Sequence, residues 1–240
     1  MIPFLSLSGL RRLEQFFNLD VALRYLSVRD ILAPDLEDRI LEVGAGGAGI
    51  TRYAPTRTVA VEPYSSVRPT ASVRPVIASG IALPFHDRAF NTVLSVDVLE
   101  HVRPTERLRF VRECVRVAAR RVVLVFPSGE AAAKQDRTLA HRYKSLHGTL
   151  DKSMAEHLAH GLPNLDEVLV AVEDSGRFPV SVHCVKNLNL RVRAWIMRRW
   201  MSPRIVDLMI YRLSVVLIFL RRWLNFGSCY RVVLDINLAE

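Results

Sequence analysis

Hydrophobic residues along the chain alternate between short uninterrupted runs and stretches in which they recur at helical spacing. Glycine or proline ends several of the short runs, which is typical of strands buried on both faces of a parallel sheet. A helix is predicted over residues 105–118, directly before the last of these runs. This alternation predicts an α/β fold in which helices cover both faces of the sheet. The five predicted strands are residues 39–43, 58–62, 76–78, 92–96 and 121–126.

The same two spacings predict elements outside this alternating region. Residues 9–32 have apolar side chains near helical spacing, which predicts N-terminal helices, and a further helix is predicted at residues 165–174. Residues 179–184 and 229–236 have the composition of two final strands. A polar, histidine-rich stretch precedes the helix, and a segment rich in arginine and tryptophan is inserted between the two final strands.

The composition is that of a globular protein, because 50% of the 240 residues are hydrophobic and 24% are charged. The three cysteines are widely spaced and form no CxxC pair, so neither a disulfide framework nor a zinc site is predicted. A reducing compartment, the cytoplasm, is therefore expected. The apolar start of the chain lacks a basic leader, so no secretory signal is predicted.

A glycine-rich loop follows the first predicted strand and is a candidate binding element. Gly44, Gly46 and Gly49 allow the backbone to approach a ligand closely. This spacing fits a nicotinamide dinucleotide site, in which Glu62 would bind a ribose. Glu42, two residues before the loop, would repel a pyrophosphate but attract the ammonium group of S-adenosylmethionine. The loop alone leaves both cofactor classes open.

A second motif spans the fourth predicted strand, in the sequence LPFHDRAFNTVLSVDVLEHV of residues 83–102. This run resembles the type 11 family of class I S-adenosylmethionine-dependent methyltransferases, whose pattern is LPF, a short turn, FD, an apolar strand and LEHV. Together with residues 40–49 and 61–63, the resemblance covers residues 38–127 in the family's order. It implies a Rossmann-like, mostly parallel sheet of seven strands in the order 3-2-1-4-5-7-6, with strand 7 antiparallel. N-terminal helices and a helical insertion before the last strand complete the expected fold.

The resemblance also implies S-adenosylmethionine as the cofactor and a set of residues that bind it. The acid and glycines of the first motif would surround the methionine end, and the carboxylate of Glu62 would accept hydrogen bonds from both ribose hydroxyls. Ser79 departs from the family, in which an aspartate commonly receives the adenine amino group, and Asn91 also replaces an aspartate. The implied cofactor-binding residues are Glu42, Gly44, Ala45, Gly46, Glu62, Ser79, Gly80, Ile81, Ser95 and Val96.

Residues for the methyl acceptor are less clearly marked. Methyl transfer from a sulfonium is a direct displacement, so the protein mainly positions the acceptor and, for some acceptors, removes a proton. His101 is the candidate catalytic base, against a structural role at a helix start. Asp97 is interpreted as the N-cap of a helix over residues 98–102. No metal site is predicted, because the histidines of the polar stretch match no standard spacing; these are His141, His147, His157 and His160.

The net charge of +9 is concentrated in the inserted segment, residues 186–228, and the first residues of the strand after it. Residues 186–231 contain ten Lys or Arg and one acid, whereas the rest of the chain has 23 of each sign. The apolar run over residues 205–220 is too short to span a bilayer, and its face with Ile205 and Met209 is expected to cover the domain. The other face, flanked by arginines, suggests either contact with an anionic membrane surface or a buried or subunit interface. Nucleic acid fits such an apolar surface less well.

Three functional hypotheses follow. The leading one is methyl transfer from S-adenosylmethionine to a small-molecule or lipid-linked acceptor, at a membrane surface if the insertion binds one. A nicotinamide-dependent oxidoreductase and a non-catalytic binding or scaffold protein with a methyltransferase fold are the alternatives. One domain is expected, made of N-terminal helices (1–36), a cofactor-binding core (37–127), an acceptor-side region with strand 6 (128–185), the basic helical insertion (186–228) and the last strand (229–240).

Overall fold

A computed structural model describes residues 18–32, 39–47, 49–64 and 68–239 of the chain. The strands are β1 (Ile40–Val43), β2 (Thr58–Glu62), β3 (Val73–Ile77), β4 (Phe90–Val96), β5 (Ala118–Pro127), β6 (Pro179–Asn189) and β7 (Cys229–Leu238). They form one sheet in the order β3-β2-β1-β4-β5-β7-β6. β1 to β5 are parallel to one another, and β7 is antiparallel to both β5 and β6. The strand order and the antiparallel last strand are confirmed.

Helices surround this sheet in the positions that the alternation predicts. The predicted N-terminal helices are represented by one helix that ends at Leu32, while residues 9–17 lie outside the described part. The histidine-rich stretch forms two helices. The α-helices are α1 (Leu19–Leu32), α2 (Pro104–Val117), α3 (Glu130–His147), α4 (Lys152–His160), α5 (Leu165–Glu173), α6 (Leu190–Trp200) and α7 (Ile205–Leu213), with 3-10 turns at Gly49–Arg52, Ser214–Ile218 and Arg221–Leu224.

Two local predictions differ from the structure. Residues 98–102 form a turn rather than a helix, with the His101 N–H donating to the Val98 carbonyl. Asp97 has φ of 51°, so the chain reverses there, and its predicted role as a helix N-cap is wrong. The next helix, α2, starts at Pro104, a residue whose fixed φ suits the first helical turn. β6 extends to Asn189, so the helices of the insertion begin only with α6.

The two faces of the sheet carry separate parts of the core. Neighbouring residues of a strand point to opposite faces, and Val93 and Leu94 of β4 accordingly lie in different hydrophobic clusters. Val93 belongs to a cluster that includes Phe110 of α2 and Val168 of α5. Leu94 belongs to a cluster that includes Val28 of α1. Helices therefore cover both faces, as predicted for a parallel sheet.

The basic insertion exposes the apolar face that was expected to cover the domain. Tyr211 is buried, whereas Ile205 and Leu213 of α7 are 74% and 72% exposed. Phe219 and Trp223 are 81% and 80% exposed. The expectation is wrong because α7 turns its Tyr211 side inward, where the Tyr211 hydroxyl accepts a hydrogen bond from the Leu19 N–H at 3.1 Å. In the described ranges no helix combines the length and the hydropathy needed to span a membrane.

Candidate active site

The glycine loop follows β1 at the carboxyl edge of the parallel strands, where ligands bind in open α/β sheets. A β-carbon at Gly44, with φ of 81°, would lie 2.2 Å from Val98 Cγ2. A β-carbon at Gly49, with φ of 52°, would lie 2.1 Å from the carboxylate of Glu42. Gly46 has φ of 56° and open space around its α-carbon. The loop is thus packed tightly against the protein at two glycines and open at the third.

Glu42 is fully buried beneath this loop. Its Oε1 accepts a hydrogen bond from the Tyr25 hydroxyl at 2.8 Å, and its Oε2 accepts one from the Ile50 N–H at 2.8 Å. Burial raises the pKa of Glu42 to about 7, although both hydrogen bonds favour the charged form. Glu42 therefore fastens the loop to α1, and its contact with a cofactor ammonium stays a prediction.

Glu62, at the end of β2, lies beside the open part of the loop. Its Oε1 accepts a hydrogen bond from the Gly46 N–H, and burial raises the pKa of its half-buried carboxyl. The Ala78 N–H donates to the Glu62 carbonyl at 3.0 Å, which brings the chain after β3 to the same place. A carboxylate here is placed to receive a ligand that lies over Gly46.

The predicted adenine segment, Ser79 to Ile81, follows directly. Ser79 is exposed, and its hydroxyl accepts a hydrogen bond from the Ile81 N–H at 3.4 Å. A β-carbon at Gly80 would lie 2.4 Å from the Phe110 ring, so the turn packs closely on α2. Ser79 therefore supports the turn rather than supplying the carboxylate that the family commonly has there.

The end of β4 connects this edge to a second site. Ser95 and Val96 are each 3% exposed, and the chain then reverses at Asp97. Val98 follows and packs against Gly44. The turn after β4 thus lies against the glycine loop on one side. On its other side is a cavity of about 170 Å³, enclosed by side chains of α1, this turn, α3, α4, α6 and β7.

Buried ion pairs hold one end of the cavity together. Arg231 of β7 is 2% exposed, and its Nε donates to the two carboxylate oxygens of Asp97 at 2.9 and 2.8 Å. Its Nη2 donates to Asp20 at 2.7 Å, and Arg24 of α1 also donates to Asp97. Burial opposes ionisation of Asp97, but Arg231 and Arg24 outweigh it and lower the pKa of that carboxyl. Asp97 is thus a pairing residue between β4, α1 and β7.

Asp136 of α3 organises the other end. It accepts a hydrogen bond from the Tyr230 hydroxyl at 2.8 Å and forms an ion pair with Arg193 at 3.0 Å, and His157 Nδ1 lies 3.1 Å away. The Arg193 guanidinium stacks 3.3 Å above the Tyr230 ring. Burial works against ionisation of Asp136, yet His157 and Arg193 lower its pKa. The carboxylate thereby joins α3, α4, α6 and β7.

Glu100, His101 and His157 lie in the wall of the cavity between these two ends. Glu100 is 1% exposed, and burial together with Asp97 raises its pKa well above the ordinary value. His101 Nδ1 hydrogen-bonds the Glu156 carboxylate at 2.7 Å. Burial and the neighbouring His157 lower the pKa of His101 despite that carboxylate, so its neutral form is favoured. A neutral imidazole can accept a proton or bind a metal ion.

Comparison with known protein families finds one family that matches this edge of the sheet. The family described as a methyltransferase domain of type 11 matches residues 41–126. The match begins in β1, ends in β5 and includes the glycine loop, Glu62 and the turn after β4. Residues 41–126 form a type 11 methyltransferase domain. No curated protein matches the sequence.

Solved structures share the methyltransferase fold over nearly the whole chain. A methyltransferase from Thermotoga maritima has a TM-score of 0.57 at 14% identity and covers 97% of both chains. One from Archaeoglobus fulgidus has a TM-score of 0.56 at 13% identity and covers 95% of this chain and 99% of its own. Geranyl diphosphate C-methyltransferase from Streptomyces coelicolor has a TM-score of 0.53 at 15% identity, with 97% and 82% covered. Its structure contains Mg²⁺, geranyl diphosphate and S-adenosylhomocysteine.

The cofactor of the methyltransferase domain is S-adenosylmethionine, as the sequence predicts. This identification favours methyl transfer over the nicotinamide-dependent alternative. Among the predicted cofactor-binding residues, Gly44, Gly46 and Glu62 lie together at one edge. Their individual contacts with the cofactor stay predictions, as do those of Ala45, Ser79, Gly80, Ile81, Ser95 and Val96.

The cavity beside the turn after β4 is lined by residues that sequence reasoning missed. Of the histidines considered, His101 and His157 line the cavity, whereas His147 hydrogen-bonds the Met201 carbonyl outside it. One signal was available, because Arg231 lies in a mostly apolar strand, and arginine is rarely buried without a partner. The missed lining residues are Asp20, Arg24, Glu100, Asp136, Arg193, Tyr230 and Arg231.

Proposed function

We propose that this protein transfers the methyl group of S-adenosylmethionine to a small-molecule or lipid-linked acceptor. The observation that carries the proposal is the glycine loop of the matched domain, open at Gly46 and with Glu62 beside it. The loop would surround the methionine end of the cofactor, Glu62 the ribose, and the turn at Gly80 the adenine. The methyl group would then face the turn after β4, where the acceptor cavity begins.

The polar head of the acceptor would enter the cavity. Three buried guanidinium nitrogens in it have no hydrogen-bond partner among the described residues: Arg24 Nε, Arg193 Nε and Arg231 Nη1. An unpaired buried N–H is costly, so an acceptor that supplies oxygen atoms there would gain affinity. The structure of geranyl diphosphate C-methyltransferase, which has the same fold, contains a ligand with an anionic head and an apolar tail, and this supports the proposal. Both features fit a lipid-linked acceptor.

We propose that His101 acts as the general base when its imidazole is free of any metal ion. Glu156 holds its Nδ1, so Nε2 is the nitrogen that would take a proton from the acceptor. The lowered pKa keeps the imidazole neutral at neutral pH, as a base must be. For an acceptor with an ionisable O–H or N–H, replacing His101 by Gln would lower kcat by roughly 10²-fold or more.

The basic insertion is our proposed membrane contact. Its exposed apolar side chains include Phe219 and Trp223, and arginines at Arg198, Arg204 and Arg222 are exposed beside them. Aromatic and apolar side chains flanked by arginine suit the interface of an anionic bilayer. A cytoplasmic protein that docks in this way could take a lipid-linked acceptor from the membrane. The alternative occupant is a second subunit, which would cover the same surface.

Label transfer from [methyl-³H]S-adenosylmethionine into an extract tests the proposed activity. We expect label in a lipid product or in an aqueous small-molecule product other than the cofactor itself. An equal amount of S-adenosylhomocysteine should form. His141→Gln, on an exposed position of α3, serves as the control variant with unchanged activity. If neither kind of product is labelled although the protein binds the cofactor, the non-catalytic scaffold hypothesis would be favoured instead.

A further inference from the structure

We propose that Glu100, His101 and His157 form a binding site for one divalent transition-metal ion, for which Zn²⁺ is the best fit. One ligand atom from each residue lies within 4.8 Å of the other two. Zinc bonds of about 2.0–2.1 Å in a tetrahedron separate ligand atoms by about 3.4 Å. Side-chain rotations that move these atoms by about 1 Å would therefore complete the coordination. This inference goes beyond the proposed function, because metal binding needs neither cofactor nor acceptor.

Two unpartnered buried atoms point to a missing ligand. Glu100 is 1% exposed, and neither its Oε2 nor Nε2 of His157 has a hydrogen-bond partner in the described part of the chain. His157 Nε2 lies 3.9 Å from Glu100 Oε1, too far for a hydrogen bond between them. A carboxylate oxygen and an imidazole nitrogen that are buried this close together are usual zinc ligands, and a cation would satisfy both.

Among the acids at the buried end of the cavity, Glu100 has no arginine partner in the described part of the chain. Arg24 and Arg231 both pair with Asp97. Arg231 also pairs with Asp20. At the other end of the cavity, Arg193 pairs with Asp136. These arginines are therefore paired with aspartates, and a bound metal ion would supply the positive charge that an ionised Glu100 lacks.

Both imidazoles are held in the orientation that metal binding needs. His101 Nδ1 hydrogen-bonds Glu156 at 2.7 Å, and His157 Nδ1 hydrogen-bonds Asp136 at 3.1 Å. Ligating histidines generally use one ring nitrogen for the metal while a carboxylate or carbonyl holds the other. Here the two carboxylates come from α4 and α3, so each Nε2 is directed by a different helix.

The donor set indicates which cation is bound. Two imidazole nitrogens with one carboxylate favour Zn²⁺, whereas Mg²⁺ and Ca²⁺ select oxygen ligands. Three protein ligands leave a fourth position, which an oxygen of the acceptor or a water molecule in the cavity would take. With the ion bound, Nε2 of His101 would be a ligand and could not act as the base. The metal would then lower the pKa of a coordinated acceptor O–H or N–H, and the proton would pass to water in the cavity.

Zinc binding by the full chain tests the site directly. Chelator-treated protein is titrated with ZnCl₂ by calorimetry, and bound metal is counted by mass spectrometry after gel filtration. We expect one ion per chain, and binding at least about tenfold weaker in Glu100→Gln and in His157→Gln. Glu156→Gln, which removes the partner of His101 Nδ1, should weaken binding by a smaller factor. His183→Gln, at an exposed position of β6, is the matched control with unchanged binding.

Circular dichroism of each variant checks that it folds. If Glu100→Gln does not fold, the unmodified protein is loaded with Co²⁺ and its visible absorption spectrum is measured instead. We expect the bands of a four- or five-coordinate site with nitrogen and oxygen ligands. The proposal is overturned if the unmodified protein takes up no zinc, or if Glu100→Gln and His157→Gln fold and bind it as tightly. An octahedral aqueous cobalt spectrum would equally overturn it.

Discussion

The cofactor side and the acceptor side of this protein meet at the turn after β4 but are built in different ways. The cofactor side is formed by residues 42–96, and its geometry depends on backbone conformations that glycine allows. The acceptor side joins six elements through buried charges, and its Arg231–Asp20 pair links residues 211 positions apart. A substitution on the first side therefore acts through strain, and one on the second through an unpaired charge.

The largest effect is expected on the acceptor side, at Arg231→Leu. Removing this guanidinium leaves Asp97 and Asp20 buried with less compensation, which should lower the free energy of unfolding by about 3–5 kcal/mol. Urea unfolding measures it, with the exposed Arg222→Leu as control. A loss below about 1 kcal/mol would mean that the ion pairs do not hold this side together.

The second-largest loss in the free energy of unfolding is expected from backbone strain on the cofactor side. Gly44→Ala places a β-carbon against Val98 at a positive φ, so we expect a loss of about 3 kcal/mol from conformational cost and overpacking. Gly46→Ala meets no atom within 4 Å and should lose only about 1 kcal/mol. Equal losses in urea unfolding would contradict the distinction between the packed and open parts of the loop.

A pH dependence should distinguish Glu42 from the paired acids of the cavity. Its pKa is about 7 in the folded protein against an ordinary value of 4.5, so the folded state keeps the proton and stability falls as pH rises between these values. From pH 5 to pH 8 this amounts to about 2–3 kcal/mol. Glu42→Gln should lack that decrease. If the wild type and the variant lose stability in parallel, burial does not govern Glu42.

The smallest change in stability is expected at the exposed insertion. Phe219→Ser and Trp223→Ser replace side chains that are at least 80% exposed, so stability should change by about 0.5 kcal/mol or less. Flotation with anionic vesicles at low salt should nevertheless fall severalfold relative to wild type. If wild type does not float, or if it forms a dimer that both substitutions dissociate, this surface is a subunit interface and the membrane proposal is lost.

Local sequence patterns predicted the fold more completely than they predicted the site. The alternation of strands and helices, a short-range pattern, predicts a parallel sheet covered on both faces. The strand order follows from the family that the run over residues 83–102 resembles. Asp97 was misassigned since its pairing with Arg231 depends on the folded topology, 134 positions along the chain. The exposed face of α7 was misassigned because apolar spacing does not reveal which side of a helix packs against the rest of the protein. Glu100 stands in a recognised motif, yet its lack of a partner is visible only in three dimensions.

Calorimetric titration with S-adenosylhomocysteine tests the central claim, that the open glycine loop beside Glu62 binds this cofactor. We predict saturable binding to one site per chain, no binding of NAD, and affinity at least about tenfold weaker in Glu62→Ala, because hydrogen bonds to a carboxylate contribute about 1.5–3 kcal/mol. Binding of NAD alone, or S-adenosylhomocysteine binding that is unchanged in a folded Glu62→Ala protein, would contradict it.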